Sequence, residues 1–330
     1  MPVHSVGGTS SRKFLNPRFD NPSARCIQIG LINNMPDGAL KATERQFHAL
    51  LNVAADGVAV HLSLYALPDV PRTESGRRHI SHFYSDIDNL WDSHLDALIV
   101  TGADPQAANL ADEPYWGSLT KVIEWAEHNT YSTVWSCLAA HAVILHNDGI
   151  GRRRLPDKRF GVFECTRVSD HHLTAGVPPL FQMPHSRWND IPGKQLTDCG
   201  YRVLTRDKDG GVDAFVKEGK SLAVFFQGHP EYDVNSLLLE YRRDIGRYLD
   251  GERDTYPSIP EGYCDRDTAE LFAKLRERAL ADRRRVVIAD FPTALVEKRI
   301  ANTWRPVTLR IYKNWLAYLC AQKERIAVVT

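Results

Sequence analysis

The run FFQGHPEYD, residues 225–233, turns from apolar to polar within a few positions and sets His229 and Glu231 on either side of Pro230. Val224, Phe225 and Phe226 read as a buried strand, so a base and an acid stand where that strand leaves the core. Two more strand exits carry candidate chemistry: Cys137 follows STVWS and precedes LAAHAVILHN, and Thr101-Gly102 closes LDALIVTG. A cysteine at a strand-to-helix turn faces a helix N-terminus, whose dipole and free N–H groups favour the thiolate and can hold an oxyanion. With His229 as its base and Glu231 to orient the imidazole, Cys137 would be the nucleophile of a triad. A plainer reading uses the same residues, with Cys137 packed beside Leu138, Ala139 and Ala140 and His229-Pro230-Glu231 as an exposed turn. Spacing alone leaves both open.

These exits need a scaffold that brings them together. CIQIGLIN (26–33), VHLSLYAL (60–67), LDALIVTG (95–102) and STVWSC (132–137) read as strands, and the segments near 40–54 and 115–128 and LAAHAVILHN (138–147) as helices. The alternation predicts an α/β fold with a parallel sheet flanked by helices, in which ligands gather at the carboxyl ends of the strands. The sheet continues through GVFECTRV and YRVLTRD to LAVFFQG. After it, VNSLLLEYRRDIGRYL places apolar residues at 237, 241, 245 and 248, the spacing of an amphipathic helix. An α/β catalytic domain is expected over 25–250. A helical extension over 251–330, with helices near 267–285 and 303–321, is expected to pack on the same domain. Residues 1–24, rich in Gly, Ser, Pro and basic side chains without a period, are expected to form an arm or a strap outside the core.

Composition narrows the partners. The chain has 330 residues, 43% hydrophobic and 25% charged, with Lys plus Arg and Asp plus Glu both at 41. That balance gives no field to draw nucleic acid or an anionic membrane, and it points to a small substrate. The six cysteines are scattered without a C-x-x-C pair, as expected of reduced thiols in a cytoplasmic protein. No apolar signal region opens the chain, and no stretch approaches the roughly 20 apolar residues of a membrane span. No metal is expected, because no His/Cys cluster has ligand spacing and the adjacent His171-His172 cannot both face one ion from a regular element.

VWSCLAAHAVILHNDGI, LPDKRFGVF, MPHSRWND and GHPEYDVNSLLLEYRRD together resemble the homoserine O-acyltransferases of the glutamine-amidotransferase-like superfamily. The likeness runs from about Ile27 to Gln322 and takes in INNMPDGALKATERQF, LIVTG followed by PYW, and WRPVTLRIYKNWLAYL. It implies a flavodoxin-like sheet of the class I glutamine-amidotransferase kind, a homodimer, and acylation of homoserine in methionine biosynthesis, with acyl-coenzyme A as co-substrate and no permanently bound cofactor. Cys137 would match the nucleophile that carries the acyl group as a thioester, His229 the base and Glu231 its orienting acid. Lys158, Ser186, Glu240 and Arg243 would match the residues that contact homoserine. At i and i+3, Glu240 and Arg243 share a helix face, so Arg243 can fork onto the α-carboxylate while Glu240 faces the ammonium. Outside the motif context the pair reads as a surface ion pair.

The chain also departs from the family. Leu138, Ala139, Ala140 and His141 stand where most relatives carry Trp-Gly-Ala-Gln. Backbone N–H donors tolerate that change, so the oxyanion is assigned to the backbone of Leu138 and Thr101. Gln106 occupies the position at which a glutamate goes with acetyl-coenzyme A and a glycine with succinyl-coenzyme A. Glutamine fills the space without the charge, and its amide can donate to a carboxylate, which favours succinyl-coenzyme A. Acetyl-coenzyme A as donor and a serine-like acceptor stay as alternatives. Beyond them stand a glutamine amidohydrolase using the same three residues and a non-catalytic metabolite binder.

Overall fold

The structure, a computed structural model, describes residues 3–6 and 26–329, with side chains over 26–325. Ten strands among the described residues join one sheet: β1 Val3–Val6, β2 Cys26–Ile32, β3 Ala59–Tyr65, β4 Ala97–Val100, β5 Ser132–Ser136, β6 Arg153–Arg167, β7 Leu180–Asp190, β8 Arg202–Asp207, β9 Val212–Lys217 and β10 Leu222–Phe226. Their order is β1-β3-β2-β4-β5-β10-β9-β8-β6-β7. Of the expected N-terminal arm, only Val3–Val6 is described, and it adds an edge strand parallel to β3. The rest of the arm lies outside the described residues.

The parallel sheet expected from the alternation is present from β1 to β10. Beyond β10 it turns antiparallel, through β9, β8, β6 and β7. The cause is chain length. Only residues 208–211 separate β8 from β9 and 218–221 separate β9 from β10, whereas a parallel crossover needs a dozen or more residues. The strand β7, whose sequence carries the MPHSRWND motif, and β9 were not expected as strands. Pro184 is tolerated because β7 is the sheet edge.

Apolar side chains cover both faces. On one, Ile27, Ile29 and Val134 pack with Phe47 and with Tyr312, Trp315 and Leu319 of the C-terminal helix Arg305–Val329. On the other, Leu98, Val100, Trp135 and Phe225 pack with Val122 and Ile144. The extension expected over 251–330 is thus part of the core. Its helix Arg266–Ala281 contributes Phe272 to a third cluster with Tyr241, Phe160 and the fully buried Trp304. Gly161, at φ +149, lets Glu261 of the extension bridge to β6; a Cβ there would lie 2.1 Å from the Glu261 carbonyl oxygen.

Candidate active site

The parallel strands β2, β4, β5 and β10 end along one rim, and the chain order reverses beside β2, as at the ligand crevice of doubly wound sheets. Cys137 follows β5 immediately and precedes the helix Leu138–Asp148. It takes φ 51 and ψ −112, a positive-φ conformation that L side chains avoid, so the chain stores strain where it turns the thiol outward. Its own N–H is anchored to Phe226 O at 2.7 Å. The small Ala139 and Ala140, 2% and 0% exposed, let the helix close on the sheet, so the altered elbow still forms.

His229 and Glu231 follow β10. His229 Nδ1 meets Glu231 Oε1 at 2.8 Å, and the ring hydrogen-bonds the Cys137 side chain. Burial alone would push the His229 pKa down. The charges of Glu231 and Cys137, and hydrogen bonds to both, outweigh it and hold the imidazole well above its ordinary value. The structure therefore brings the three residues picked from the sequence into one line, with the His229 ring between Cys137 and Glu231. His229 is fixed from two further sides: its N–H donates to Pro184 O at 2.8 Å, and its ring stacks on Tyr232.

Of the two backbone N–H groups expected to face the oxyanion, that of Thr101 is not free. Thr101 N–H donates to Ile32 O at 3.0 Å, so it is already spent. Gly102 N–H has no partner among the described residues. Asn34 Nδ2 donates to Thr101 O at 3.2 Å, and because the peptide is planar and trans this turns Gly102 N–H to the opposite side. A Cβ on Gly102 would lie 2.6 Å from Leu138 Cβ and 3.0 Å from Leu138 N, so only glycine allows this approach. Leu138 N–H, the first of its helix, has no intrahelical acceptor.

Opposite lies a polar cradle. Glu240 Oε2 accepts from Ser186 Oγ at 2.6 Å and lies 3.6 Å from Lys158 Nζ and 3.8 Å from Arg243 Nη2. Tyr232 donates its hydroxyl to Glu240 Oε1. Burial would raise the Glu240 pKa, but Lys158, Arg243 and the hydrogen bonds from Ser186 and Tyr232 bring it below the ordinary value, so it stays a carboxylate. The Arg243 side chain, at 46% exposure, is the open cation of the group. Tyr232 and Asp244 escaped the sequence reading: Asp244 accepts from Lys158 Nζ at 3.1 Å and Arg243 Nη2 at 3.2 Å. Its position next to Arg243, on the face of Glu240, was the available signal. Triad, cradle and Gln106 line one cleft of about 1050 Å³, above the upper end of roughly 300–1,000 Å³ for small-molecule pockets.

The homoserine O-succinyltransferase family model matches residues 16–326. The chain belongs to the homoserine O-succinyltransferase family. It is 47% identical over 300 residues to a homoserine O-succinyltransferase of Rhodopseudomonas palustris, covering 91% of this chain and 90% of that one. It is 46% identical over 310 residues to a homoserine O-succinyltransferase of Methylorubrum extorquens, covering 94% and 91%. Among solved structures, a glutamine amidotransferase from Methylobacillus flagellatus shares the fold, with TM-score 0.50 at 14% identity over 90% of this chain and 96% of that one.

Within this member of the homoserine O-succinyltransferase family, one further cluster stands out. Cys165, His185 and Asp213, distant in sequence, bring potential ligand atoms within 4.8 Å of one another. His185 Nδ1 accepts from Arg187 Nε at 3.3 Å and Nε2 faces Asp213 Oδ1 at 3.3 Å, while burial pushes the Cys165 thiol far up. With the Arg187 and Arg159 guanidiniums acting on the same groups, the cluster reads as a buried polar network bracing β7 to β9. The adjacent His171 and His172 rings lie against each other, and His172 stacks on Tyr318. No described helix is long and apolar enough to cross a membrane.

Proposed function

We propose that the chain transfers a succinyl group from succinyl-coenzyme A to the hydroxyl of L-homoserine through a succinyl-Cys137 intermediate. The observation that carries this reading is the placement of the Cys137–His229–Glu231 array and the Glu240–Arg243 cradle on one cleft. His229 takes the Cys137 proton, and Glu231 stabilises the resulting imidazolium. The thiolate attacks the thioester carbonyl while the oxyanion rests on Leu138 and Gly102 N–H. Coenzyme A leaves with the proton from His229. Homoserine then binds with its carboxylate on Arg243 and its ammonium toward Glu240, near Lys158 and Ser186. His229 takes the hydroxyl proton, the oxygen attacks the acyl-cysteine, and the Cys137 thiolate departs.

Relatives named homoserine O-succinyltransferase support succinyl-coenzyme A as the donor. Family resemblance supports a homodimer, and six unpaired cysteines fit a cytoplasmic setting. Gln106 lies exposed in the same cleft, its amide donating to Asp104 O at 3.2 Å. The test is kcat/KM for succinyl- and acetyl-coenzyme A with homoserine, on the wild type and on Gln106→Glu and Gln106→Gly. Succinyl preference in the wild type, reduced by Gln106→Glu and kept or raised by Gln106→Gly, is expected. Acetyl preference in the wild type would contradict the donor, and glutamine hydrolysis without acyl transfer would contradict the reaction.

A further inference from the structure

The loop after β4 is pinned from two sides. Glu113 Oε1 accepts from Gln106 N–H and Ala107 N–H, both at 2.7 Å. From the other side, Arg152 Nη2 donates to Ala108 O at 3.0 Å and Ala107 O at 3.4 Å. That occupies one nitrogen of the guanidinium. Nη1 is buried and has no hydrogen-bond partner among the described residues. Glu113 and Tyr115 lie near Arg152 without hydrogen-bonding it; Glu113 Oε1 is taken by two N–H groups, while Glu113 Oε2 and the Tyr115 hydroxyl are, like Nη1, buried without a partner among the described residues. A guanidinium N–H stripped of water and left unpaired is costly, so this side chain is prepared to receive an anionic oxygen.

The neighbourhood fits such a guest. Arg152 lines the same cleft as Cys137, Leu138, His141 and Gln106. His141 is 3% exposed, and its Nδ1 is likewise buried without a partner. Burial, then the charges of Arg187 and Arg152, push its pKa down to about 3, so it offers a neutral ring able to donate a hydrogen bond. An acetyl group carries nothing for either side chain to hold. A succinyl group ends in a carboxylate.

We infer that Arg152 Nη1 receives the distal carboxylate of the succinyl donor, with the His141 ring beside it. The inference rests on the acyltransferase reading and adds the residue that selects the donor by attraction, where Gln106 selects by the absence of repulsion.

The experiment is kcat/KM for succinyl- and acetyl-coenzyme A on the wild type, Arg152→Met and Arg152→Lys, with thermal melts of each. Arg152→Met is expected to cut the succinyl-to-acetyl ratio by roughly tenfold or more, the scale of one lost charge-assisted hydrogen bond. Arg152→Lys, which keeps the charge, is expected to restore part of the ratio. Equal losses with both donors in Arg152→Met would overturn the subsite and leave Arg152 as a brace for the loop, whatever the melt shows. A wild type that takes acetyl-coenzyme A alone would overturn it too. Failure of the underlying reading looks different: neither donor would acylate Cys137 in the wild type.

Discussion

The Tyr232 ring lies stacked on the His229 ring, centroids 4.3 Å and planes 18° apart. The same side chain donates its hydroxyl to Glu240, so one residue touches both the base and the acceptor cradle. Burial, then the charges of Glu240 and Glu231, hold its pKa well above the ordinary phenol value, which keeps it a donor. Trp304 of the C-terminal extension fixes it from behind, Nε1 donating to Tyr232 O at 3.0 Å. Tyr232→Phe keeps the stack and loses the hydroxyl. KM for homoserine is expected to rise roughly tenfold while the rate of Cys137 acylation changes little. Equal damage to both half-reactions in rapid-quench experiments would show that the hydroxyl serves the base instead.

Arg243→Ala separates the two halves of the reaction more sharply. Arg243 is the exposed cation of the cradle, and Asp244 holds it through Nε at 3.3 Å and Nη2 at 3.2 Å. Its loss is expected to raise KM for homoserine by roughly ten- to a hundredfold and to leave acylation by succinyl-coenzyme A nearly intact. Lys158→Ala should act in the same direction, with some loss of stability, because Asp244 then keeps fewer partners in a buried site. If Arg243→Ala slows acylation as much as transfer, the arginine belongs to the donor site.

Glu231→Gln tests the electrostatics of the base. His229 is raised above its ordinary pKa, so its protonated form is present below that raised value and lost as pH rises through it. Removing the Glu231 charge lets burial dominate and lowers the His229 pKa. The alkaline limb of kcat/KM for succinyl-coenzyme A should therefore move to lower pH. Superimposable pH profiles for the variant and the wild type would mean that Glu231 does not hold the imidazolium.

The juxtaposition of Cys137, His229 and Glu231 was legible because each follows a strongly apolar strand, where periodicity marks the exit. The antiparallel half was harder to see. In β7 the buried residues include His185, Arg187 and Asp190, hydrogen-bonded to one another and to Gln227, so the strand lacks the apolar alternation that would announce it. Which of Thr101 and Gly102 keeps a free N–H depends on which the ladder consumes, a matter of register that no sequence pattern encodes. Arg152 sits in an Arg-Arg-Arg run that reads as solvated surface; only the folded loop shows that one of its nitrogens is buried.

In the proposed reaction Cys137 carries the acyl group. Intact-protein mass spectrometry after mixing with succinyl-coenzyme A in the absence of homoserine, followed by a homoserine chase, tests it most directly. A gain of one succinyl group is expected, mapped to Cys137 and absent from Cys137→Ala, and lost on the chase with O-succinylhomoserine formed in equal amount. Transfer to homoserine at an undiminished rate in Cys137→Ala, or no acyl-enzyme in a wild type that still turns over, would contradict it.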